Sequence, residues 1–443
     1  SKDVNNNTYS TKFTSQSFSH LLDNYSKNSL DIYHKRNFSD HLVYIFTSGT
    51  TGGKVKAAIE TDARMLLGAS GHHIGYKLRK NDNIYVPLPL YHAFAGVLIT
   101  GTCLINGVTL SISERFSASN FWADCIKYNC TIGLYIGETC RYLLSQTPKP
   151  EDTKHQIRAM CGIGLRKAYW NQFKTRFAIK HIFEFYGASE ANVYLVNLND
   201  KEGSCGFIPW YYGIFLRLIY SDPMSLEPVR NRKGLCKMIR PGEIGVIVGV
   251  HNKISPLHEF KGYTDSGETN KKWIFNIRSK GDSGFMSGDL VEMDKFGYMY
   301  FKDRCGDTFR FKGENVSTTD VEAVIQSTLN HKDCTVFGVT VGQSEGKAGM
   351  AVINANSDEI DLQELAQQLS KRLPSYAIPL FIKLTADIEV TGTFKLIKYK
   401  LQNMGFTPQS NDDFIAVYDK NINSYKRMTN EIYESIISGE LTF

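Results

Sequence analysis

Tyr44-Ile-Phe-Thr-Ser-Gly-Thr-Thr-Gly-Gly-Lys-Val-Lys56 runs β-favouring residues straight into hydroxyls, glycines and lysines. The stretch reads as a strand feeding an anion cradle. Gly49, Gly52 and Gly53 let backbone N–H groups turn toward an anion with no Cβ in the way. Thr47, Ser48, Thr50 and Thr51 add hydroxyl donors, and Lys54 and Lys56 add charge. It is not a Walker A loop, which needs G-x-x-x-x-G-K-[ST]. Ser48 stands where the first Gly belongs, and Val55 where the magnesium-binding hydroxyl belongs. The alternative is a polar surface turn, so the choice rests on the rest of the chain.

Around this loop lie 443 residues of ordinary globular composition, 42% hydrophobic and 22% charged. That length buries a large core and implies more than one domain. The net charge of +6 comes from interspersed acids and bases, with no dense Lys/Arg run, which excludes a nucleic-acid footprint. Nine scattered cysteines without a C-x-x-C pair fit reduced thiols in a cytosol-facing protein, not a disulfide framework or zinc site. The polar, Asn/Ser-rich residues 1–40 carry no signal-peptide pattern and read as a linker or loosely ordered leading segment. Ile84–Ser113 has no charged residue, but Pro87, Pro89, His92 and several glycines break it. It reads as a buried strand, loop and core helix, not a membrane span.

From residue 43 to about 300, short β-rich runs alternate with helical patterns, which argues α/β layers. Asn83–Val86, Val108–Ile112 and His181–Tyr186 read as strands; Ala118–Tyr128 and Thr139–Ser145 read as helices. Ile244–Val250 and Met286–Met293 read as antiparallel strands. The texture changes near 303. Thr319-Asp-Val-Glu322 reads as a capping box opening a helix through Leu329. Cys334–Val341 and Ala348–Asn354 read as a hairpin, and Leu362–Arg372 as a helix stopped by Pro374. The fold class is therefore α/β, with large N-terminal α/β subdomains over 41–303 and a small α+β domain over 304–443.

Four further segments carry chemistry. Glu184-Phe-Tyr-Gly-Ala-Ser-Glu190 follows a strand and offers a Tyr to stack a base and a carboxylate for magnesium. Phe285-Met-Ser-Gly-Asp-Leu290 places Asp289 in a Gly turn, where a carboxylate can accept both ribose hydroxyls. Phe301–Ser317 alternates aromatic and charged residues, and Thr391-Gly-Thr-Phe-Lys395 presents a lysine from a Gly turn. Taken singly, each is also ordinary turn or surface chemistry.

In this order and spacing the five segments together resemble the adenylate-forming superfamily of acyl-CoA synthetases, luciferases and adenylation domains. More closely the chain resembles the fatty acid transport protein and very-long-chain acyl-CoA synthetase family, from about residue 40 to the C-terminus. Arg115–Trp122, Asp124–Thr131, Tyr135-Ile-Gly-Glu138, Cys140–Leu144 and Gly306-Asp-Thr-Phe-Arg-Phe-Lys-Gly-Glu-Asn-Val-Ser-Thr-Thr319 carry the closer match.

The resemblance implies an ATP-dependent long- or very-long-chain fatty acyl-CoA synthetase working through an acyl-adenylate. ATP, Mg2+ and coenzyme A would be its cofactor and co-substrates. Thr47, Ser48, Gly49, Thr50, Thr51, Gly52 and a following lysine would hold the β- and γ-phosphates. Lys56 matches the family position better, and Lys54 could substitute. Glu190 would bind magnesium. Tyr186 and Gly187 would flank the adenine, with Gly162, Ile163, Gly164 and Leu165 on its other side, and Ser189 would add a hydroxyl to the nucleotide site. Asp289, helped by Arg304, would hold the ribose. Lys395 would reach the carboxylate and α-phosphate from a mobile C-terminal domain hinged at Arg304–Asp307, and His92 would line the acyl side. The family's usual loop proline is absent here, with one extra residue; Ser189 replaces a Thr, and Ile163 an Asn. The loop also falls early, which implies an N-terminal part, including the family's membrane segment, that is not present. Membrane association through that part would place the protein on the cytosolic face of the endoplasmic reticulum, peroxisome or plasma membrane. A homodimer is compatible. The competing implications are a fatty acid uptake factor without essential ligation and a truncated, inactive nucleotide-binding chain.

Overall fold

The computed structural model describes residues 35–47, 55–209, 213–222, 225, 227–252, 255, 258–341, 346–386, 388–391, 396–410 and 413–441. The chain forms two units, 1–37 and 38–443. Of the first, only residues 35–37 are described, without regular structure. All elements named below belong to the second.

Strands β1 (His41–Thr47) and β2 (Lys56–Thr61) form an antiparallel pair with Thr47 opposite Lys56. The hydroxyl of Thr61 then caps the Asp62–Gly75 helix by accepting from the Arg64 N–H. Strands β3 (Asn83–Val86), β4 (Thr109–Ile112), β5 (Ile132–Ile136), β6 (Ala159–Ile163) and β7 (His181–Tyr186) build a parallel sheet in the order β4-β3-β5-β6-β7. Strand β8 (Leu195–Asn197) closes its edge antiparallel to β7. The inner strands are nearly continuous in buried residues because both faces are covered. Tyr76, Ile99 and Cys103 pack on one face, and Phe121, Trp170 and Phe173 on the other. Each large apolar side chain buried this way contributes about 1.5–3 kcal/mol. Parallel β6 and β7 are neighbours and end at the same sheet edge, where open α/β sheets place their ligands.

The uncharged stretch resolves into β3, a π-helical segment Ala93–Ile99 continuing into the Thr100–Asn106 helix, and β4. No helix among the described residues is long and apolar enough to cross a membrane. The helix expected over 118–128 spans only Phe121–Lys127, because a turn at Ser117 precedes it, its carbonyl accepting from the Asn120 and Phe121 N–H groups.

A second, antiparallel sheet contains β9 (Gly206–Phe207), β10 (Leu216–Ile219), β11 (Ile244–Val250), β12 (Trp273–Phe275), β13 (Ser283–Met293) and β14 (Tyr298–Arg304), ordered β10-β11-β13-β14-β9 with β12 beside β13. Asp289 lies inside β13, not in a turn between strands. Gly288, at φ +82°, and a register slip between Leu290 and Val291 bend the strand without ending it, since β11 and β14 pair on both sides.

C-terminal to this lie the hairpin β15 (Phe309–Phe311)–β16 (Glu314–Val316) and a five-stranded sheet. That sheet comprises β17 (Cys334–Val339), β18 (Ala348–Asn354), β19 (Phe381–Thr385), β20 (Phe414–Asp419) and β21 (Ser424–Arg427), adjacent in chain order. Helices Thr318–Thr328 and Leu362–Arg372 supply Ile325, Leu365 and Leu369 to one core; Asn430–Ser438 supplies Ile436 to another. The cap of the first helix is Ser317, whose hydroxyl accepts from the Asp320 N–H at 3.2 Å. Glu322, expected to complete a capping box, instead sits one turn inside and turns inward to the half-buried cations Arg166 and Lys398.

Candidate active site

The pairing of β1 with β2 makes the Ser/Thr/Gly loop a hairpin connection that leaves the sheet at Thr47 and returns at Lys56. Thr47 Oγ1 donates to the Lys56 carbonyl at 3.2 Å, closing the neck. The expected contacts Ser48, Gly49, Thr50, Thr51 and Gly52 lie outside the described residues, as do Lys54 and Lys395. At the neck, the Lys56 ammonium pairs with the Glu268 carboxylate and lies 5.5 Å from the centre of the Tyr263 ring.

Tyr263 is placed by backbone pairing. Ile59 N–H donates to Gly262 O at 3.0 Å and Thr264 N–H to Ala57 O at 2.9 Å, so residues 262–264 form an isolated antiparallel bridge beside β2. From there the Tyr263 hydroxyl donates to Glu190 Oε1 at 2.7 Å. The loop bearing Glu190 is tied from the other side by Arg64, a guanidinium 2% exposed. Its Nη2 donates to Ala191 O at 2.7 Å, its Nε to the Tyr194 hydroxyl at 3.2 Å, and it pairs with Glu60 at 3.3 Å. Burial pushes the Glu60 carboxyl up, Arg64 opposes the rise and the Glu190 charge adds to it. Lys56, Glu60, Arg64, Glu190 and Tyr263 thus form one polar cluster where β2 meets the loop after β7. Glu190 offers carboxylate oxygen, the donor type a hard cation such as magnesium takes; no group of three metal-ligating side chains occurs among the described residues.

A second cluster forms around Asp289. It lies opposite Arg304 in the β13–β14 ladder, and the guanidinium stands 3.5 Å from Oδ1. Tyr186, the last residue of β7, donates its hydroxyl to Oδ2 at 2.6 Å. Burial and the Asp289 charge raise the Tyr186 phenol well above its ordinary value, so it stays a donor. Gly187 opens the loop that then carries Ser189 and Glu190; a Cβ at Gly187 would sit 2.8 Å from the Tyr194 ring.

Gly162 and Gly164 frame the end of β6. A Cβ on Gly162 would meet the Tyr135 carbonyl at 2.2 Å, and Gly164 holds φ +85°. The loop is anchored by Glu184, two residues before Tyr186 on the same face of β7. Its carboxylate accepts from the Gly164 N–H, from the Leu165 N–H at 3.1 Å and from the Tyr135 hydroxyl. Full burial pushes the Glu184 carboxyl up to about 8 against those three donors. His92 caps the π-helical segment beside an apolar cleft of ≈ 410 Å³ lined by Val43–Phe46, Leu90, Tyr91, Gly96 and Val97.

The structure therefore brings together Lys56 with Glu190, and Tyr186 with Asp289 and Arg304. Sequence reasoning missed Tyr263, Glu268, Arg64 and Glu184. Glu184 sits inside a quoted motif, and its spacing of two from Tyr186 was the signal that could have found it. Arg64 and Tyr263 carry no local signal.

A third group of charges joins the C-terminal elements to the parallel sheet's helices. Glu322 pairs with Arg166 at 2.9 Å and with Lys398 at 3.0 Å, and accepts from the Val336 N–H at 3.0 Å. Burial works to raise its carboxyl, but Lys398 and Arg166 outweigh it and hold the group below its ordinary value. Arg141 pairs with Asp333, and the Tyr169 hydroxyl donates to Gln326 at 2.8 Å.

The AMP-binding enzyme family matches residues 7–246. Long-chain fatty acid transport protein 1 of Rattus norvegicus is 44% identical over 412 residues, covering 92% of this chain and 63% of that protein. The chain thus spans less than two thirds of that relative's length. Among solved structures, o-succinylbenzoate CoA synthetase of Bacillus subtilis with its acyl-adenylate intermediate superimposes with a TM-score of 0.68 at 20% identity, over 87% of this chain and 73% of that one. The same enzyme with ATP and magnesium ion gives 0.68 at 20%, over 86% and 74%. At such identity the likeness establishes the fold, a mixed α/β fold of adenylate-forming enzymes.

Proposed function

Because the chain belongs to the AMP-binding enzyme family, we propose that it activates a long- or very-long-chain fatty acid with ATP and passes the acyl group to coenzyme A. One observation carries this reading: Tyr186, bonded to Asp289, ends the strand whose next loop bears Glu190. Ribose-binding and metal-binding carboxylates then lie at one sheet edge.

In the first step a fatty carboxylate oxygen attacks the α-phosphorus of ATP and pyrophosphate leaves. The carboxylate is already ionised at neutral pH, so no general base is required. The Ser48–Gly52 loop and Lys56 bind the departing phosphates, and Asp289 and Arg304 orient the ribose. Tyr186 and Gly187 flank the adenine opposite Gly162 and Gly164, and Ser189 adds a hydroxyl to the nucleotide site. Glu190 would hold magnesium, which would supply neutralisation of the phosphate charge. Lys395 steadies the charge that builds on the α-phosphate. In the second step the coenzyme A thiol attacks the acyl carbon and AMP leaves.

Residues 304–443 act as a mobile domain against 41–303, turning about Arg304–Asp307. Gly306 there holds φ +90° with open space where a Cβ would go, which suits a hinge. The apolar cleft beside His92 accommodates the acyl chain. A second reading, fatty acid uptake at a membrane driven by trapping as the thioester, is favoured by the name of the transport-protein relative.

The deciding assay is carboxylate-dependent ATP–pyrophosphate exchange across short to very long acids. Exchange that grows with chain length supports the proposal; no exchange with any acid on folded protein overturns it.

A further inference from the structure

The Lys56 ammonium, read above as a phosphate contact, is already occupied. Its partner Glu268 is 22% exposed and Lys56 itself 25%. Backbone geometry imposes the pairing. Residues 262–264 are zipped to β2, and Tyr263 is tied to Thr269 twice, by its N–H to Oγ1 at 2.9 Å and by Oγ1 to its carbonyl at 3.1 Å. The Ser266–Asn270 helix is thereby held beside β2 with Glu268 aimed at Lys56. Asp265 caps that helix, accepting from the Gly267 and Glu268 N–H groups. Glu268 also pairs with Lys271 at 2.5 Å, whose side chain is 71% exposed. Lys271 and Lys56 together hold the Glu268 carboxyl down to about 2, so it is an anion throughout the physiological range.

We propose that Glu268 is a built-in substitute for phosphate, which occupies Lys56 until a polyphosphate displaces it and so limits the affinity of the site for ATP. Carboxylate and phosphate oxygens compete for the same compact ammonium. The exchange strands no charge, because Glu268 keeps Lys271 when Lys56 turns away. It also takes place beside the metal-binding carboxylate, since Tyr263 offers its ring to Lys56 and its hydroxyl to Glu190. The inference rests on the reading of Lys56 as a phosphate contact.

Calorimetric titration tests it, with inorganic pyrophosphate and, separately, ATP, on the wild-type chain, Glu268→Gln, Lys56→Gln and the double variant. Glu268→Gln is expected to tighten pyrophosphate binding about two- to fivefold, the scale of an exposed ion pair. In the Lys56→Gln background the gain should vanish. An equal gain in that background would mean a general charge effect and overturn the proposal. So would unchanged or weakened binding in Glu268→Gln, which would make Glu268 inert or an aiming device for Lys56. Wild-type binding with an unchanged variant defeats the counter-ion alone; binding of neither ligand by any form defeats the phosphate-site reading with it.

Discussion

Tyr186 and Asp289 are joined by a 2.6 Å hydrogen bond between two different sheets, one parallel and one antiparallel. The bond fixes the end of β7 against the middle of β13 and aligns Asp289 with the loop that carries Glu190. Hydrogen bonds to charged groups contribute about 1.5–3 kcal/mol. Asp289→Asn should therefore weaken ATP binding by about 10–100-fold. Tyr186→Phe should act in the same direction but less, since Arg304 still faces Asp289. Isothermal titration with ATP checks both.

The Tyr263 hydroxyl donates to Glu190, the residue proposed to hold magnesium, at 2.7 Å. Removing such a partner costs about 10–100-fold in metal affinity. Tyr263→Phe should raise by that order the magnesium concentration needed for half-maximal pyrophosphate exchange, and Glu190→Gln should raise it further. A magnesium titration of both variants reads this directly.

Lys395→Ala should lose about 10²–10³-fold in adenylation, the scale of one transition-state donor. Thioester formation from supplied acyl-adenylate should be largely spared. Measuring the two half-reactions separately decides it: equal loss in both would remove the basis for a domain that serves one step at a time.

Buried Glu322 stands between the half-buried cations Lys398 and Arg166. Removing one member of such a cluster costs about 3–5 kcal/mol, because the remaining charges lose their counter-ion. Glu322→Gln should lower the melting temperature accordingly. The pH dependence follows from the depressed carboxyl, whose ordinary value is 4.5. Its contribution is fully present above 4.5 and is lost as pH falls through the lower folded value. Wild-type stability should decline in that acid window, and Glu322→Gln should flatten the decline; denaturant titrations from neutral pH downward measure it.

Much of the fold was legible in the chain. β-rich runs at Asn83–Val86, His181–Tyr186 and Ile244–Val250 mark strands, and Pro374 marks the end of the Leu362–Arg372 helix. The misreadings share a cause. Thr319-Asp-Val-Glu322 looks like a capping box by local spacing, but Ser317 caps the helix and Glu322 answers to Arg166 and Lys398. Asp289 beside Gly288 looks like a turn, but β11 and β14 pair on either side and keep it in a strand. In both cases a distant partner outweighs the local preference.

The same division runs through the site. Residue type and short spacing alone reveal which chemistries are present: the β-favouring run leading into hydroxyls, glycines and lysines over Tyr44–Lys56, carboxylates at Glu190 and Asp289, and the lysine three residues after Gly392. Long-range pairing is what brings Lys56 to Glu268 and Tyr263 to Glu190, and what lets Arg64 tie the start of one helix to the loop after β7. Such pairings are set by strand register and by the order in which strands enter a sheet. Both depend on burying apolar surface across the whole chain, which no local run of residues contains.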